Sequence, residues 1–177
     1  MPGMVYAKVL RSSYAHARLV RVDASRAARL PGVVAILTRD DLAGMNSHFG
    51  PVVKDQPVVA IDRVRYVGDI IAAVAAEEKD IAEEAVELIE VEYEALPAVF
   101  DPAAAMEPGA PVLHGESPKS ETRLDRDNFR YEKNSNVLSI YHAEQGDIVV
   151  GFSEADEIFE DTYSSQKIQH AHIEPHA

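Results

Sequence analysis

The sequence predicts an α+β fold organised around one strand–helix–strand unit between Val64 and Phe100. Three observations carry this. Ile70–Ala76 is an unbroken apolar run of strand length. That is what a strand covered on both faces looks like, although periodicity by itself leaves a buried helix open. Ile81, Ala82, Ala85, Val86, Leu88 and Ile89 then form one apolar stripe at helical spacing, with Glu83, Glu84, Glu87 and Glu90 on the opposite face. Finally, Val91, Tyr93 and Ala95 alternate with Glu92 and Glu94, so the period returns to two.

The other elements follow in chain order. Met4–Leu10 and Arg18–Asp23 have strand character, and a brief helix runs through Ala24–Leu30 until Pro31-Gly32 breaks it. Val33–Leu37 is a further strand. Thr38-Arg39-Asp40-Asp41 caps one helical turn that ends at Gly44. Asn46–Pro51 is a loop, and Gln56–Ile61 leads into the central unit. There, Val64 and Tyr66 alternate with Arg63 and Arg65 as a half-buried strand, and Gly68 marks a bulge or a close backbone approach. Asp80, with Glu83 three residues on, is the expected helix cap. Pro97 limits the last strand, and Ala103–Met106 form one more turn. Residues 107–135 are rich in charge and proline and read as a linker, readily digested while 4–102 resist protease. Asn136–Ala143 then starts a strand, Gly146–Ala155 turns into a short helix on which Phe152 and Ala155 can pack, and Ile158–Ser164 is extended. The domain division is therefore 1–106, 107–135 and 136–177.

Bulk properties exclude several classes. The chain of 177 residues has no Cys, so disulfides, thiolate chemistry and cysteine-ligated iron–sulfur clusters within it are excluded. A net charge of −13 argues against a nucleic-acid binder. No apolar run approaches the roughly 20 residues that span a bilayer. With no basic and apolar leader at Met1–Met4, a cytoplasmic setting is expected. The charge is uneven: residues 1–30 hold six basic side chains and one acid, Asp23. Either this is a solvated surface or it is a basic edge that docks on an acidic partner.

Candidate chemistry is sparse. His170, His172 and Glu174 alternate near the end of the sequence and, with His176, could approach one metal from one strand face. The glycine-rich surround of a cupin-like metal box is missing, and Glu174 follows too soon. His16 reads as a structural histidine that hydrogen-bonds backbone at a turn. Glu83, Glu84, Glu87 and Glu90 read as a solvated helix face, because paired catalytic carboxylates need a partly desolvated setting. Glu154, Asp156, Glu157, Glu160 and Asp161 read the same way. There is no nucleophile elbow, P-loop or dinucleotide-binding glycine motif. On residue chemistry no catalytic, cofactor-binding or metal residue is assigned. A stand-alone interaction domain using residues 1–30 and a small metalloprotein using the His cluster remain alternatives.

The order of motifs adds a family likeness. Tyr6-Ala7-Lys8-Val9-Leu10-Arg11-Ser12-Ser13-Tyr14-Ala15-His16-Ala17-Arg18-Leu19 resembles the opening of the large, molybdenum-binding subunit of the xanthine dehydrogenase / aldehyde oxidase family. So do Leu30-Pro31-Gly32-Val33-Val34-Ala35 with Asp41-Leu42, Val64-Arg65-Tyr66-Val67-Gly68 with Ala72-Ala73-Val74, and Val91-Glu92-Tyr93-Glu94 with Leu96-Pro97. Together they resemble the α/β-hammerhead domain, a mixed sheet with a packed helix, over roughly residues 4–102. Asn136-Val137, Gly146-Asp147, Phe152 through Asp156 and His170 through Pro175 resemble the run into the molybdopterin-binding domain. Ser13, Asp69 and Ile168 depart from the family pattern, which usually has Pro and Gln at the first two and in some members Gln at the third. The resemblance implies an enzyme that hydroxylates a carbon of an aldehyde or N-heterocycle with oxygen from water. Electrons would leave through molybdopterin, iron–sulfur clusters and usually FAD, and the general-base glutamate would lie beyond residue 177. It further implies that this stretch is architectural, holds none of these cofactors and is inactive by itself. Its partners would be the remainder of the molybdenum-binding subunit and the iron–sulfur and flavin subunits or domains.

Overall fold

The computed structural model describes residues 3–45, 47–50, 54–114, 129–130, 135–137, 140–166 and 168. In chain order the elements are β1 (Tyr6–Arg11), β2 (Ala17–Asp23), β3 (Val33–Leu37), β4 (His48–Phe49), β5 (Gln56–Pro57), β6 (Arg63–Val64), β7 (Ile70–Ala76), α1 (Lys79–Glu87), β8 (Glu90–Ala95), α2 (Pro102–Met106), β9 (Phe129–Arg130), β10 (Ile140–Tyr141) and α3 (Ile148–Glu154). Two single 3-10 turns, Ala27–Arg29 and Arg39–Leu42, flank β3. The chain divides into two units, 1–142 and 143–177.

The first unit is built on two three-stranded sheets. One has the order β1-β7-β3 and the other β6-β2-β8. The expected mixed sheet resolves into these two, and every described strand pair is antiparallel. The apolar run Ile70–Ala76 is the central strand β7, with none of its residues exposed. Its two faces serve two cores. Ala72 and Val74 join Ala27, Ala85 and Ile89 under α1. Ile71 points the other way and joins Ala17, Leu19, Ala60 and Val64 of the second sheet. Alternation along one strand thus divides the interior, because successive side chains leave a strand on opposite faces.

Helix α1 fits the first core because its inward residues are small: Ala82 and Ala85 are fully buried, and Ile89 closes the end. Gly32 permits the approach. Its φ is +89°, and a Cβ there would sit 2.6 Å from Ile81 Cδ1. The Glu77 amide donates to the Gly32 carbonyl at 2.8 Å, so the chain leaves β7 still tied to the entrance of β3.

Several expectations shift. The strand–helix–strand unit is not one βαβ layer, because β7 and β8 lie in different sheets. Both edges of β7 are already taken by β1 and β3, so β8 pairs with β2 instead. Helix α1 begins at Lys79 with Glu78 at the cap position, rather than Asp80, and makes no side-chain cap bond. Glu83 reaches Lys8 Nζ at 2.9 Å and not the helix terminus. The strand at Val64 stops there, leaving Tyr66 47% exposed. The Asp69 carboxylate accepts from the Arg65 amide at 3.0 Å and Gly68 takes φ +94°, which folds residues 65–69 into a turn. The helix expected over Ala24–Leu30 is only the 3-10 turn, and among the described residues of the strand expected over Asn136–Ala143 only Ile140–Tyr141, β10, are strand. Helix α3 buries no residue, so Phe152 stays exposed. By contrast, Thr38 and Asp41 form the full reciprocal capping box expected at that turn.

The beginning of the expected linker is tethered. Asn136 Nδ2 donates to the carbonyls of Ala105 and Pro111 at 2.9 and 3.0 Å, and its Oδ1 accepts from the Leu113 amide at 3.0 Å. Arg65 Nε donates to the Leu113 carbonyl at 2.9 Å. Residues 115–128 lie outside the described residues.

Because Ile71 is the one large side chain that β7 contributes to the second core, Ile71→Ala is expected to cost about 2–5 kcal/mol. The shift of the urea midpoint at unchanged m-value measures it. A loss below about 1 kcal/mol would contradict the two-core arrangement.

Candidate functional site

The described polar groups organise structure, and His16 shows how. Its ring is buried between β2 and the end of β8. Nδ1 lies 2.6 Å from the Pro97 carbonyl. A carbonyl only accepts, so Nδ1 carries the proton. The His16 carbonyl meanwhile accepts from the Leu96 amide at 3.0 Å. One residue therefore holds both sides of the chain's exit from β8. Nε2 is buried with no hydrogen-bond partner among the described residues. The Tyr14 ring stacks on Tyr93 beside it, centroids 4.6 Å apart. The structural reading of His16 holds.

Four of the six basic side chains among the first thirty residues pair with acids elsewhere in the chain. Lys8 pairs with Glu83 at 2.9 Å, Arg18 with Glu94 at 3.4 Å, Arg21 with Glu92 at 3.4 Å and Arg26 with Glu90 at 3.1 Å. The antiparallel register of β2 and β8 places Arg18 opposite Glu94 and Arg21 opposite Glu92. These pairs are half exposed, so each is worth about 0–1 kcal/mol. Their effect is on the field: much of the excess positive charge faces acids of α1 and β8. Glu84 and Glu87 are solvent-exposed, as the helix pattern required. Hydrogen bonds from the Lys8 ammonium, and then its charge, hold the Glu83 carboxyl below its ordinary range.

Two arginines that the sequence did not single out carry more. Arg39 reaches back from its 3-10 turn to the bulge of β2. It donates to the carbonyls of Leu19, Val20 and Ile61 at 2.7, 3.1 and 3.2 Å. The Leu19 and Val20 carbonyls lie where the ladder register slips, so a guanidinium supplies the donors the ladder does not. Arg65, besides its bond to Leu113, faces Asp62 at 3.4 Å. Burial alone would raise the Asp62 carboxyl, but the hydrogen bond from Arg63 and the charges of Arg65 and Arg63 outweigh it and hold it low. Only Thr38-x-x-Asp41 hinted that a structured turn would point Arg39 anywhere in particular.

His114 sits 3.4 Å from Asp55. Burial lowers its pKa from the ordinary 6.5, with Asp55 opposing.

No group of three or more His, Asp or Glu side chains close enough to hold a metal occurs among the described residues. His170, His172, Glu174 and His176 lie outside the described residues. Ile168 is described and exposed. Glu154, Asp156, Glu157, Glu160 and Asp161 are all exposed. Among the described residues no helix is long and apolar enough to cross a membrane.

Two short sheets, one of them covered by a helix, in this order make an α/β-hammerhead. A family model described as the aldehyde oxidase and xanthine dehydrogenase a/b hammerhead domain matches residues 1–97. The chain belongs to that family. It is 43% identical over 173 residues to a probable xanthine dehydrogenase subunit of Bacillus subtilis, covering 98% of this chain and 21% of that protein. It is 38% identical over 176 residues to the nicotinate dehydrogenase large molybdopterin subunit of Eubacterium barkeri, covering 99% and 37%. Among solved structures, the CO dehydrogenase of Oligotropha carboxidovorans matches with a TM-score of 0.60 at 44% identity, over 63% of this chain and 14% of that one. The chain therefore spans roughly a fifth to a third of the length of these curated relatives.

Two outcomes are expected. Asn places an N–H near the position of the histidine Nδ1, whereas Gln mimics Nε2. His16→Asn should therefore retain more stability than His16→Gln or His16→Ala, the last costing about 1–3 kcal/mol in urea unfolding. Equal losses would remove the Nδ1 clamp. For His114 the folded pKa lies below the unfolded one. Its contribution is present above the unfolded value of 6.5 and is lost as the pH falls below it. The difference in unfolding free energy between the native chain and His114→Gln should shrink as the pH drops below 6.5. A difference that grows would mean that the Asp55 pair dominates.

Proposed function

We propose that this chain is the architectural N-terminal part of the large subunit of a molybdenum hydroxylase of the xanthine dehydrogenase / aldehyde oxidase type. The enzyme would hydroxylate a carbon of an N-heterocycle or aldehyde with water as the oxygen source. The carrying observation is that the alignment runs nearly the whole length of this chain yet covers only 21% of a relative named as a probable xanthine dehydrogenase subunit. Bound molybdopterin would supply the redox chemistry, with iron–sulfur clusters and usually FAD elsewhere in the assembly.

In this reading residues 1–106 are the hammerhead, 107–135 connect, and 136–177 open the molybdopterin-binding domain. The hammerhead's own contribution is a body with two cores that share the strand β7. Its partners are the rest of the molybdenum-binding subunit and the iron–sulfur and flavin subunits or domains. A cytoplasmic setting, inferred from the sequence, belongs to the same reading.

Purification of the native protein containing this sequence tests the proposal. A polypeptide several times longer than 19.4 kDa, carrying molybdenum and hydroxylating a purine, nicotinate or an aldehyde, is the expected result. A native 19.4 kDa polypeptide without molybdenum would refute it. The isolated 177-residue chain should not turn over any of these substrates.

A further inference from the structure

The second unit combines two features that water-exposed chain rarely keeps together. Residues 143–166 carry seven Asp and Glu side chains and no Lys, Arg or His. The same stretch leaves Ile148, Val149, Phe152, Ile158, Phe159 and Tyr163 more than half exposed, Phe159 by 87% and Tyr163 by 89%. They are not scattered. Ile148 and Phe152 of α3, with Ala155, Ile158 and Phe159 after it, line a groove of about 300 Å³ with Glu157 at its side. Asp147 fixes the geometry by capping α3, its Oδ1 accepting from the Val149 and Val150 amides at 2.9 and 3.1 Å. Contiguous apolar surface of this kind, rimmed by polar groups, marks a place where another surface sits.

We infer that this groove seats a basic polypeptide segment with apolar side chains, supplied by the same longer subunit. The inference rests on the function proposed above and adds the surface and the chemistry of the partner. Charge selects the occupant. A second copy would bring seven acids against seven acids with no base in either stretch, and like charges brought together are unfavourable. Nucleic acid and anionic lipid are repelled for the same reason. A segment with Lys or Arg around Leu- or Phe-like side chains satisfies both the rim and the groove. In the Bacillus subtilis and Eubacterium barkeri relatives the alignment includes this stretch, and 21% and 37% coverage leaves most of each protein to supply such a segment.

The 177-residue chain can be titrated with a dansyl-labelled peptide of about 20 residues built from Leu and Lys, and with its Leu and Glu counterpart. The basic peptide should bind about tenfold or more tightly than the acidic one. It should weaken severalfold at about 1 M salt, where charges are screened within about 3 Å. Phe152→Ser and Phe159→Ser should each cost about tenfold, with the circular dichroism of the folded chain unchanged. Equal binding of both peptides, binding that ignores both substitutions, or no binding overturns the proposal. So does concentration-dependent dimerisation in sedimentation velocity that either substitution abolishes, which would make a second copy the occupant. The two readings fail separately. A long native polypeptide with no peptide binding removes the groove alone. A native chain of 177 residues that still binds the basic peptide removes the subunit assignment, and with it the subunit as the source of the segment, and leaves only the groove's preference for a basic, apolar occupant.

Discussion

Everything in the first unit depends on one strand being wanted on both sides. β7 offers Ala72 and Val74 to α1 and a single larger side chain, Ile71, to the second sheet. Burial of apolar area drives both contacts, and neither core is large by itself. The strand is therefore held in register by its two edges and its two faces together. A slip of one residue would send Ile71 toward the helix and Ala72 toward the sheet, mismatching both. β1 and β3 complete the constraint by pairing with both edges, and the helix lies against the small residues of the same strand.

Around this centre, polar groups close the places where regular structure stops. Arg39 supplies donors at the bulge of β2, His16 ties β2 to the exit from β8, and Asn136 gathers residues 105–113. The surface ion pairs do a different job. They offset part of the basic excess of the first thirty residues without adding much stability. The acidic excess that remains is concentrated elsewhere, including the stretch 143–166.

The elements that packing dictates were legible in the sequence. Ile70–Ala76 and the stripe from Ile81 to Ile89 announced a covered strand and a helix laid against it, and both lie where the periodicities put them. Family motifs spread along the chain made the hammerhead recognisable. What could not be read was which strand pairs with which. The strand–helix–strand pattern suggests one layer, and only the occupied edges of β7 send β8 to the other sheet. Local polar competition was equally hidden. Asp69 takes the Arg65 amide and ends a strand whose alternation alone would have carried on through Tyr66. Asp80 has the better cap chemistry, yet the helix starts at Lys79, with Asp80 already inside its first turn. For function, no site was expected in this stretch and no metal-donor cluster was assigned. The bonds of Arg39, Arg65 and Asn136 could not be read from the sequence, because each binds backbone carbonyls whose positions only the fold sets.

The double hold of His16 on Leu96 and Pro97 has a consequence for assembly. Whatever polypeptide comes after β8 departs from a point fixed to the body of the domain, in a direction set before any neighbour arrives. Asp101 then begins α2 a few residues later, its carboxylate accepting from the Ala104 amide at 2.7 Å. A module whose outgoing chain is aimed in this way acts as a launching point, and the search that later segments must make for their places is correspondingly shorter.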